Sequence, residues 1–574
     1  MKKLIDLLSL EMQNALSEAG YDKEYGKVTL SNRPDLCEFQ CNAGLSLAKK
    51  VGEKPFDIAT KIAAIASQSV AFESAQAVMP GFINLKISGC YLTDYLQKMQ
   101  EDKYFGVERP THPKTVIIDY GGANVAKPLH IGHIRPAIIG EAIKRLYAFA
   151  GHKAIGDAHL GDWGLQMGLV IASLKCRQPD LPYFQETYTG PYPTEPPFSL
   201  KELEQIYPAA SARSKEDAAF KQEAMIATTQ FQEGRPGYRA LWRHIMDVSV
   251  PDIKRIYNEL NATFDLWKGE SDVRDLIPDM VAYMKEEGYA YISEGALVVD
   301  VKEETDTKEV PPCMILKSDG ASLYNTTDLA TILERMNTYQ PQEIIYVTDK
   351  RQELYFEQVF RCAKKTKLVR PETSLRFLGH GTMNGKDGKP FKTRDGGVMR
   401  LEDLWEQTQQ EMYQKITQNG GDLDEDQARQ TAKTVALAAL KYGDMSNQVF
   451  KDYAFDLERF TSFEGDTGPY ILYTIVRVKS ILYKYRASGG NLSELMLADP
   501  DETDGAYQKQ LMLRLAQFSA IIETALEELA PHRIAAYVYD VANALNQFYH
   551  STKILTEPDP QNKSAMLALL QFAK

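Results

Sequence analysis

The chain has 574 residues, 44% of them hydrophobic and 25% charged, with a formal net charge of −12. These values describe an ordinary globular protein with ample core, and the acidic balance excludes non-specific binding to nucleic acid through bulk charge. A partner RNA would need local basic surface with aromatic residues to stack on its bases. No apolar run approaches the roughly 20 residues that span a bilayer, so no membrane partner is expected. Asp6, Glu11 and Asn14 interrupt any signal-peptide core after Lys2 and Lys3, so the expected location is the cytoplasm.

At about 150 residues per domain the length predicts three or four domains. Apolar spacing predicts amphipathic helices over 4–19, 43–50 and 56–65, and the alternation in Phe82-Ile83-Asn84-Leu85-Lys86-Ile87 predicts a strand. Together these read as a separate N-terminal α+β unit, closed by a linker at 108–113. Thr115 to Ile118 reads as a buried parallel strand, followed by a helix from Ile134 through Phe149. A Pro- and Tyr-rich stretch and charged helices near 177–240 read as an insertion. Strands are predicted to resume at 296–300, 314–316, 344–347 and 375–378, each separated by helical stretches, which is the pattern of a doubly wound parallel sheet. From about Asp424 the pattern is helical: 428–441, 470–485, 507–530 and 533–555, with Gly489 and Gly490 as punctuation. The chain stops within a predicted helix, which reads as a truncation or a short C-terminus. Six scattered cysteines, at 37, 41, 90, 176, 313 and 362, read as reduced thiols. Cys37 and Cys41 lie far from the nearest histidine, His112, so no protein-bound metal site is expected.

The most informative stretch is Asn124-Val125-Ala126-Lys127-Pro128-Leu129-His130-Ile131-Gly132-His133. It follows a strand and opens a helix, where an open α/β sheet places phosphates on unpaired N–H groups. His130 and His133 are candidate phosphate donors, and Lys127 reaches the same phosphates. Gly132 lets a flat base or ribose approach the backbone. Asp119 and Asn124 lie at the strand end, where ligands of such sheets bind. A second segment, Lys386-Asp387-Gly388-Lys389-Pro390-Phe391-Lys392-Thr393-Arg394, is a glycine-bounded loop dense in cations, suited to neutralising a triphosphate. A third, Gly161-Asp162-Trp163-Gly164-Leu165-Gln166, follows the next strand.

Together these segments resemble those of the class I aminoacyl-tRNA synthetases, and among them the bacterial type of arginyl-tRNA synthetase, in order over nearly the whole chain. The resemblance implies a Rossmann-like α/β catalytic domain at 111–423, an N-terminal α+β domain at 1–110 that binds the tRNA elbow, and a C-terminal all-α bundle at 424–574 that binds the anticodon. It implies a ligase, acting as a monomer, that joins L-arginine to its tRNA through an adenylate made from ATP, with Mg2+ carried by the nucleotide and tRNA required before activation. His130, Gly132, His133, His380, Met383 and Lys392 would bind ATP. Lys127, Lys389 and Lys392 would assist the histidines in catalysis, although the loop departs from the Lys-Met-Ser-Lys-Ser form and leaves Lys386 and Arg394 open as alternatives. In the family the Asn124 position holds the substrate α-amino group and the Asp119 position helps to read the amino acid. Gly121-Gly122-Ala123 replaces the Ser-Ser-Pro of many members.

Tyr324 and Asp328, four apart on one helical face, match the family's arginine-binding positions, and Gln352 matches another substrate contact. A planar, permanently charged guanidinium calls for a fixed carboxylate and a hydroxyl or flat partner. Asp119 with Asp328 would make a doubly acidic pocket that rejects lysine and citrulline without editing. Gly161–Gln166 is a family hallmark, with packing and substrate contact both open. Tyr470 and Tyr473, leading into Arg477 and Lys479, match tRNA-binding positions. Tyr549, Phe82 and Asn84 are further candidates, while Met79 departs from the polar residue of some relatives. Two rival classes remain at this stage: another adenylate-forming nucleotidyltransferase, and a binding-only paralogue.

Overall fold

The computed structural model describes residues 1–389, 399–418, 423–500 and 505–574. The two ends of the chain fold together: Met1–Pro110 and Ser462–Lys574 form one unit, and Thr111–Thr461 forms the other.

In the first unit, β1 (Val28–Leu30), β2 (Phe39–Cys41), β3 (Phe72–Val78) and β4 (Phe82–Ile87) make an antiparallel sheet in the order β1-β2-β4-β3. The alternation in β4 is realised: Ile83, Leu85 and Ile87 are buried, while Phe82 and Asn84 keep partial exposure on the other face. β3 escaped the sequence reading because its small and polar residues, Ser74 to Ala77, hide its alternation. The expectation of a separate N-terminal unit is corrected. Leu8, Met12, Ile58 and Leu85 share one core with Ile481, Leu511, Met512 and Leu567 from the C-terminal helices. Lys509 lies 2.9 Å from Glu38 and 2.8 Å from Glu73, and Gln97 donates to the Leu497 carbonyl at 3.1 Å. A small α+β layer buries too little on its own, and the helices complete its core. The segment predicted as one helix over 507–530 is two, Ala506–Leu515 and Phe518–Glu528. The last helix, Pro560–Ala573, buries Leu567, Leu569 and Leu570 in the same core.

In the second unit, β5 (Thr115–Asp119) pairs in parallel with β6 (Lys153–Asp157). β7 (Ala290–Ser293), β8 (Ala296–Val299) and β9 (Cys313–Leu316) form a separate antiparallel sheet, so the expectation that 296–300 and 314–316 belong to the parallel sheet is corrected. Short apolar runs do not declare their partners, and here tight connections favour antiparallel pairing. β10 (Glu343–Asp349) and β11 (Ser374–His380) complete the parallel sheet in the order β11-β10-β5-β6. Val116, Ile117 and Ile118 are fully buried, as the central strand of a sheet covered on both faces requires. The chain leaves β5 through the helix Ile134–Phe149 to β6 on one side, and β10 and β11 lie on the other. The ligand crevice of such a sheet therefore opens between β5 and β10.

The helix Glu425–Met445 belongs to this unit, which moves the expected boundary from 424 to 461. Its small buried residues Ala432, Ala436 and Ala439 allow close packing. Its Asp444 meets Arg135 at 2.8 Å with both side chains buried.

Candidate active site

The helix entry is built by its own histidines. After Asp119 a loop leads to a short 3-10 turn, Ile131–His133, which runs directly into the helix Ile134–Phe149. Within the loop Ala126 adopts a left-handed φ of 67°, and its N–H donates to the Ser249 hydroxyl at 3.1 Å. Such strain in a non-glycine residue is held by its surroundings. The Gly132 N–H donates to His130 Nδ1 and the His130 N–H donates to His133 Nδ1, each at 3.0 Å. A ring nitrogen that accepts carries no proton, so His130 holds its proton on Nε2, while His133 Nδ1 lies between the His130 N–H at 3.0 Å and the His130 carbonyl at 3.1 Å. Burial lowers both histidines, His133 to about 3, reinforced at His133 by His130 and at both by the charge of Lys127. They are thus neutral donors, with ring centres 4.0 Å apart, beside a helix start that offers further N–H groups. Gly132 is needed here because a Cβ would come within 2.7 Å of His130 Cε1. Lys127 Nζ lies 4.6 Å from the centre of the Tyr207 ring.

Both roots of the lysine loop are anchored around this entry. His380 is buried at the end of β11, its Nδ1 2.9 Å from the Gly381 carbonyl, and burial lowers its pKa. Met383 is buried and pairs with Tyr453. The Tyr453 hydroxyl donates to Asp444 at 2.9 Å, and Arg135 donates to the Lys451 carbonyl at 2.9 Å. Lys386 Nζ lies 2.9 Å from Asp456 in an exposed ion pair. Lys389 is exposed, and its carbonyl closes a turn by accepting from Gly385 N–H at 2.8 Å. Lys392 and Arg394 lie outside the described residues. Beyond the loop, Ile131 N–H donates to the Met399 carbonyl at 3.1 Å and Leu401 N–H to the Leu129 carbonyl at 2.9 Å, so Arg400 is bridged to His130.

Tyr324 and Asp328 lie on one face of the helix Tyr324–Thr338. Tyr324, Asp328, Thr331 and Arg335 recur at helical spacing and form a stripe along it. Tyr324 is 60% exposed. Asp328 accepts from the Tyr355 hydroxyl. Burial pushes its carboxyl up to about 6, opposed by Tyr355, His159 and Arg335 and reinforced by Asp119. A second raised acid, missed in the sequence, stands close by. Burial pushes Glu270 up to about 7, against the pull of His159 and with help from Asp162 and Asp328. Asp119 already has a partner, since Arg335 Nη2 lies 2.5 Å from it and 2.7 Å from Asp157. The acid that shares the field of Asp328 without an ion-pair partner among the described residues is therefore Glu270. Gln352 is exposed in the turn after β10. Glu270, Tyr355 and Arg335 carry no local motif. Glu270 is brought in by 266–269, which adds rungs beside Asp157 and Leu160, while Arg335 and Tyr355 come from the helices Tyr324–Thr338 and Glu353–Lys365.

The segment Gly161–Gln166 positions its neighbours. Gly161 bridges Asn124, and Gln166 Nε2 donates to Asn124 Oδ1 at 3.3 Å and to the Gly161 carbonyl at 3.0 Å. Fully buried Asp162 accepts from the Ser271 N–H at 3.0 Å and the Ser271 hydroxyl at 2.5 Å, next to Glu270. Trp163 packs against Phe231 and Trp242. The motif is a brace for Asn124 and Glu270.

In the other unit Tyr473 is 50% exposed, and Arg477 lies 5.1 Å from its ring centre and 5.0 Å from that of Tyr549. The Tyr470 hydroxyl is tied to Asn543 and Asn546, each at 2.8 Å, which makes it an anchor of that face. Asn84 accepts from Gln40 at 2.9 Å, and Phe82 lies two residues away on the same side of β4.

A switch-point crevice flanked by two neutral imidazoles at a helix entry defines the class: a nucleotide-binding catalytic domain of the class I synthetase type. The family description "tRNA synthetases class I (R), catalytic domain" matches residues 96–457, "DALR anticodon binding domain" matches 471–574, and "Arginyl tRNA synthetase N terminal domain" matches 6–87. An arginine–tRNA ligase of Agathobacter rectalis is 58% identical over 100% of this chain and 97% of its own length. One from Alkaliphilus oremlandii is 52% identical over 99% and 96%. The fold matches the arginyl-tRNA synthetase of Plasmodium falciparum (TM-score 0.78, 23% identity, 100% of this chain and 96% of that one) and that of Thermus thermophilus (0.74, 21%, 99% and 97%). The chain belongs to the arginine–tRNA ligase family, and it charges tRNA with arginine for translation at the expense of ATP.

Proposed function

We propose that the crevice between β5 and β10 carries out both half-reactions with the following division of labour. The α-carboxylate of arginine attacks the α-phosphate of ATP and pyrophosphate leaves. A ribose hydroxyl of the tRNA end then attacks the acyl carbon of the adenylate and AMP leaves. His130 and His133 donate Nε2–H to phosphate oxygens as charge builds on them. Gly132 lets the nucleotide approach the backbone, and His380 and Met383 lie on its adenosine side. Lys127, Lys389 and Lys392 neutralise the leaving pyrophosphate, and Mg2+ enters with ATP as part of that substrate. Asn124 and Asp119 hold the α-amino end of arginine. Tyr324, Asp328 and Gln352 hold the rest of the amino acid, joined by Glu270. Phe82 and Asn84 contact the tRNA elbow, while Tyr473 and Tyr549, with Tyr470 as anchor, stack on anticodon bases. The same reading takes the enzyme as monomeric and cytoplasmic.

The observation that carries the reading is that the loop leaving β5 at Asp119 carries Asn124 and the His130–His133 turn, while Arg335 ties to Asp119 the helix that bears Tyr324 and the buried acid Asp328, with the buried acid Glu270 acting in the same field. Such acids favour a cation that can lower them. ATP–pyrophosphate exchange with all twenty amino acids, with and without tRNA, tests it. Exchange with arginine alone, and only with tRNA present, is expected. Exchange with another amino acid overturns the pocket assignment, and none at all favours a binding-only role.

A further inference from the structure

Arg335 is an arginine built into the wall of the arginine pocket, and it is only 1% exposed. Its Nη2 lies 2.5 Å from Asp119 at the end of β5 and 2.7 Å from Asp157 at the end of β6. Its guanidinium carbon lies 5.4 Å from the ring centre of Tyr346 on β10. One side chain therefore reaches three neighbouring strands at the switch point. Its Nε and Nη1 have no hydrogen-bond partner among the described residues, nor do Asp157 Oδ1 and the Tyr346 hydroxyl. A brace between helix and sheet is served as well by a packed apolar side chain, so an incompletely satisfied buried guanidinium is weak evidence for stability alone. Its charge has another use.

We propose that Arg335 is a positioning residue for amino-acid selection: it orients the Asp119 carboxylate, fixes the helix that presents Tyr324 and Asp328, and supplies the positive charge that keeps the pocket acids available to a cationic substrate. This rests on Asp328 as the partner of arginine, as proposed above. The groups that face Asp328 are Tyr324 and Arg335 on its own helix, Asp119 on β5, Tyr346 on β10, His159 after β6, Glu270, and Tyr355 with Cys313 behind it. Arg335 is the permanent cation among them. Removing it makes Asp328 harder to ionise, whereas removing Asp157, which competes for the same Nη2, makes Asp328 easier to ionise.

The test is the KM for arginine, the KM for ATP, and the pH profile of the former, in full-length Arg335→Gln, Arg335→Lys and Asp157→Asn. In Arg335→Gln the KM for arginine is expected to rise about tenfold and its acid limb to move up by about one pH unit, with the KM for ATP within about twofold. Arg335→Lys should recover part of the loss, since it keeps the charge but not the fork. Asp157→Asn should move the limb to lower pH. A parallel rise in both KM values, a limb that stays in place, or a Lys variant no better than Gln overturns the proposal. If Arg335→Gln does not fold, Asp157→Asn decides, and an unmoved or upward limb overturns it. Asp328→Asn separates the two layers. An unchanged KM for arginine there sinks the pocket reading and this role with it, while a raised KM there with unmoved limbs in the other variants sinks the role of Arg335 alone.

Discussion

Replacing Asp328 by Asn removes one negative charge from the pocket and little else. The amide oxygen can still accept from the Tyr355 hydroxyl, so the local hydrogen bond survives. Burial lifts this carboxyl from the ordinary 3.8 to about 6, which disfavours the ionised form by roughly 3 kcal/mol. An incoming guanidinium offsets that cost, and the Asn variant has no cost to offset and no charge to offer. Removing one partner of a desolvated charge pair costs about 3–5 kcal/mol. That corresponds to a loss of roughly 10²- to 10⁴-fold in kcat/KM for arginine, with the KM for ATP unchanged. The preference for arginine over citrulline should narrow by a similar factor, because the neutral analogue never used the charge. The assay is steady-state charging at saturating tRNA and ATP, with the melting temperature recorded alongside. A folded variant whose KM for arginine stays within about threefold of the parent would refute the reasoning.

Burial raises Glu270 to about 7 and Asp328 to about 6, above their ordinary ranges, and on the proposed assignment both must ionise to hold arginine. The KM for arginine should therefore rise as pH falls through 7 and more steeply below 6, by about tenfold per pH unit for each proton that must leave; a flat profile between pH 8 and pH 6 counts against Glu270. His133→Ala should lower kcat by about 10²- to 10³-fold while leaving arginine binding intact, as expected for a donor that acts mainly in the transition state. Equilibrium binding of arginine together with single-turnover activation checks this, and undiminished activation would discard the role. Gly161→Ala would place a Cβ 2.3 Å from Asn124 Oδ1, so it should raise the KM for arginine while sparing that for ATP. Asp444→Ala should cost about 3–5 kcal/mol of stability by leaving Arg135 buried without its ion partner, and a denaturant midpoint equal to the parent's would show that the pair is dispensable.

The sequence by itself determined what depends on local pattern. The buried run before Asp119 and the helix that opens at the histidines could be read directly from local pattern, whereas the roles given to Tyr324 and Asp328 came from the resemblance to the family, and most of the cationic loop lies outside the described residues. Alternation revealed β4, but not β3, where Ser74, Ala75 and Ala77 carry too little contrast. Tertiary structure alone decided everything that needs a partner from far along the chain. It paired 296–299 and 313–316 into a sheet of their own, and it joined the chain's two ends around one core through Lys509, Glu38 and Glu73. It turned Gly161–Gln166 from a motif without a role into the brace of Asn124 and Glu270. It also gave Asp119 to Arg335 and brought in Glu270 beside Asp328. A carboxylate's task depends on which charges lie within a few ångströms and how much water is excluded, and those quantities are set by long-range packing rather than by neighbours in the chain.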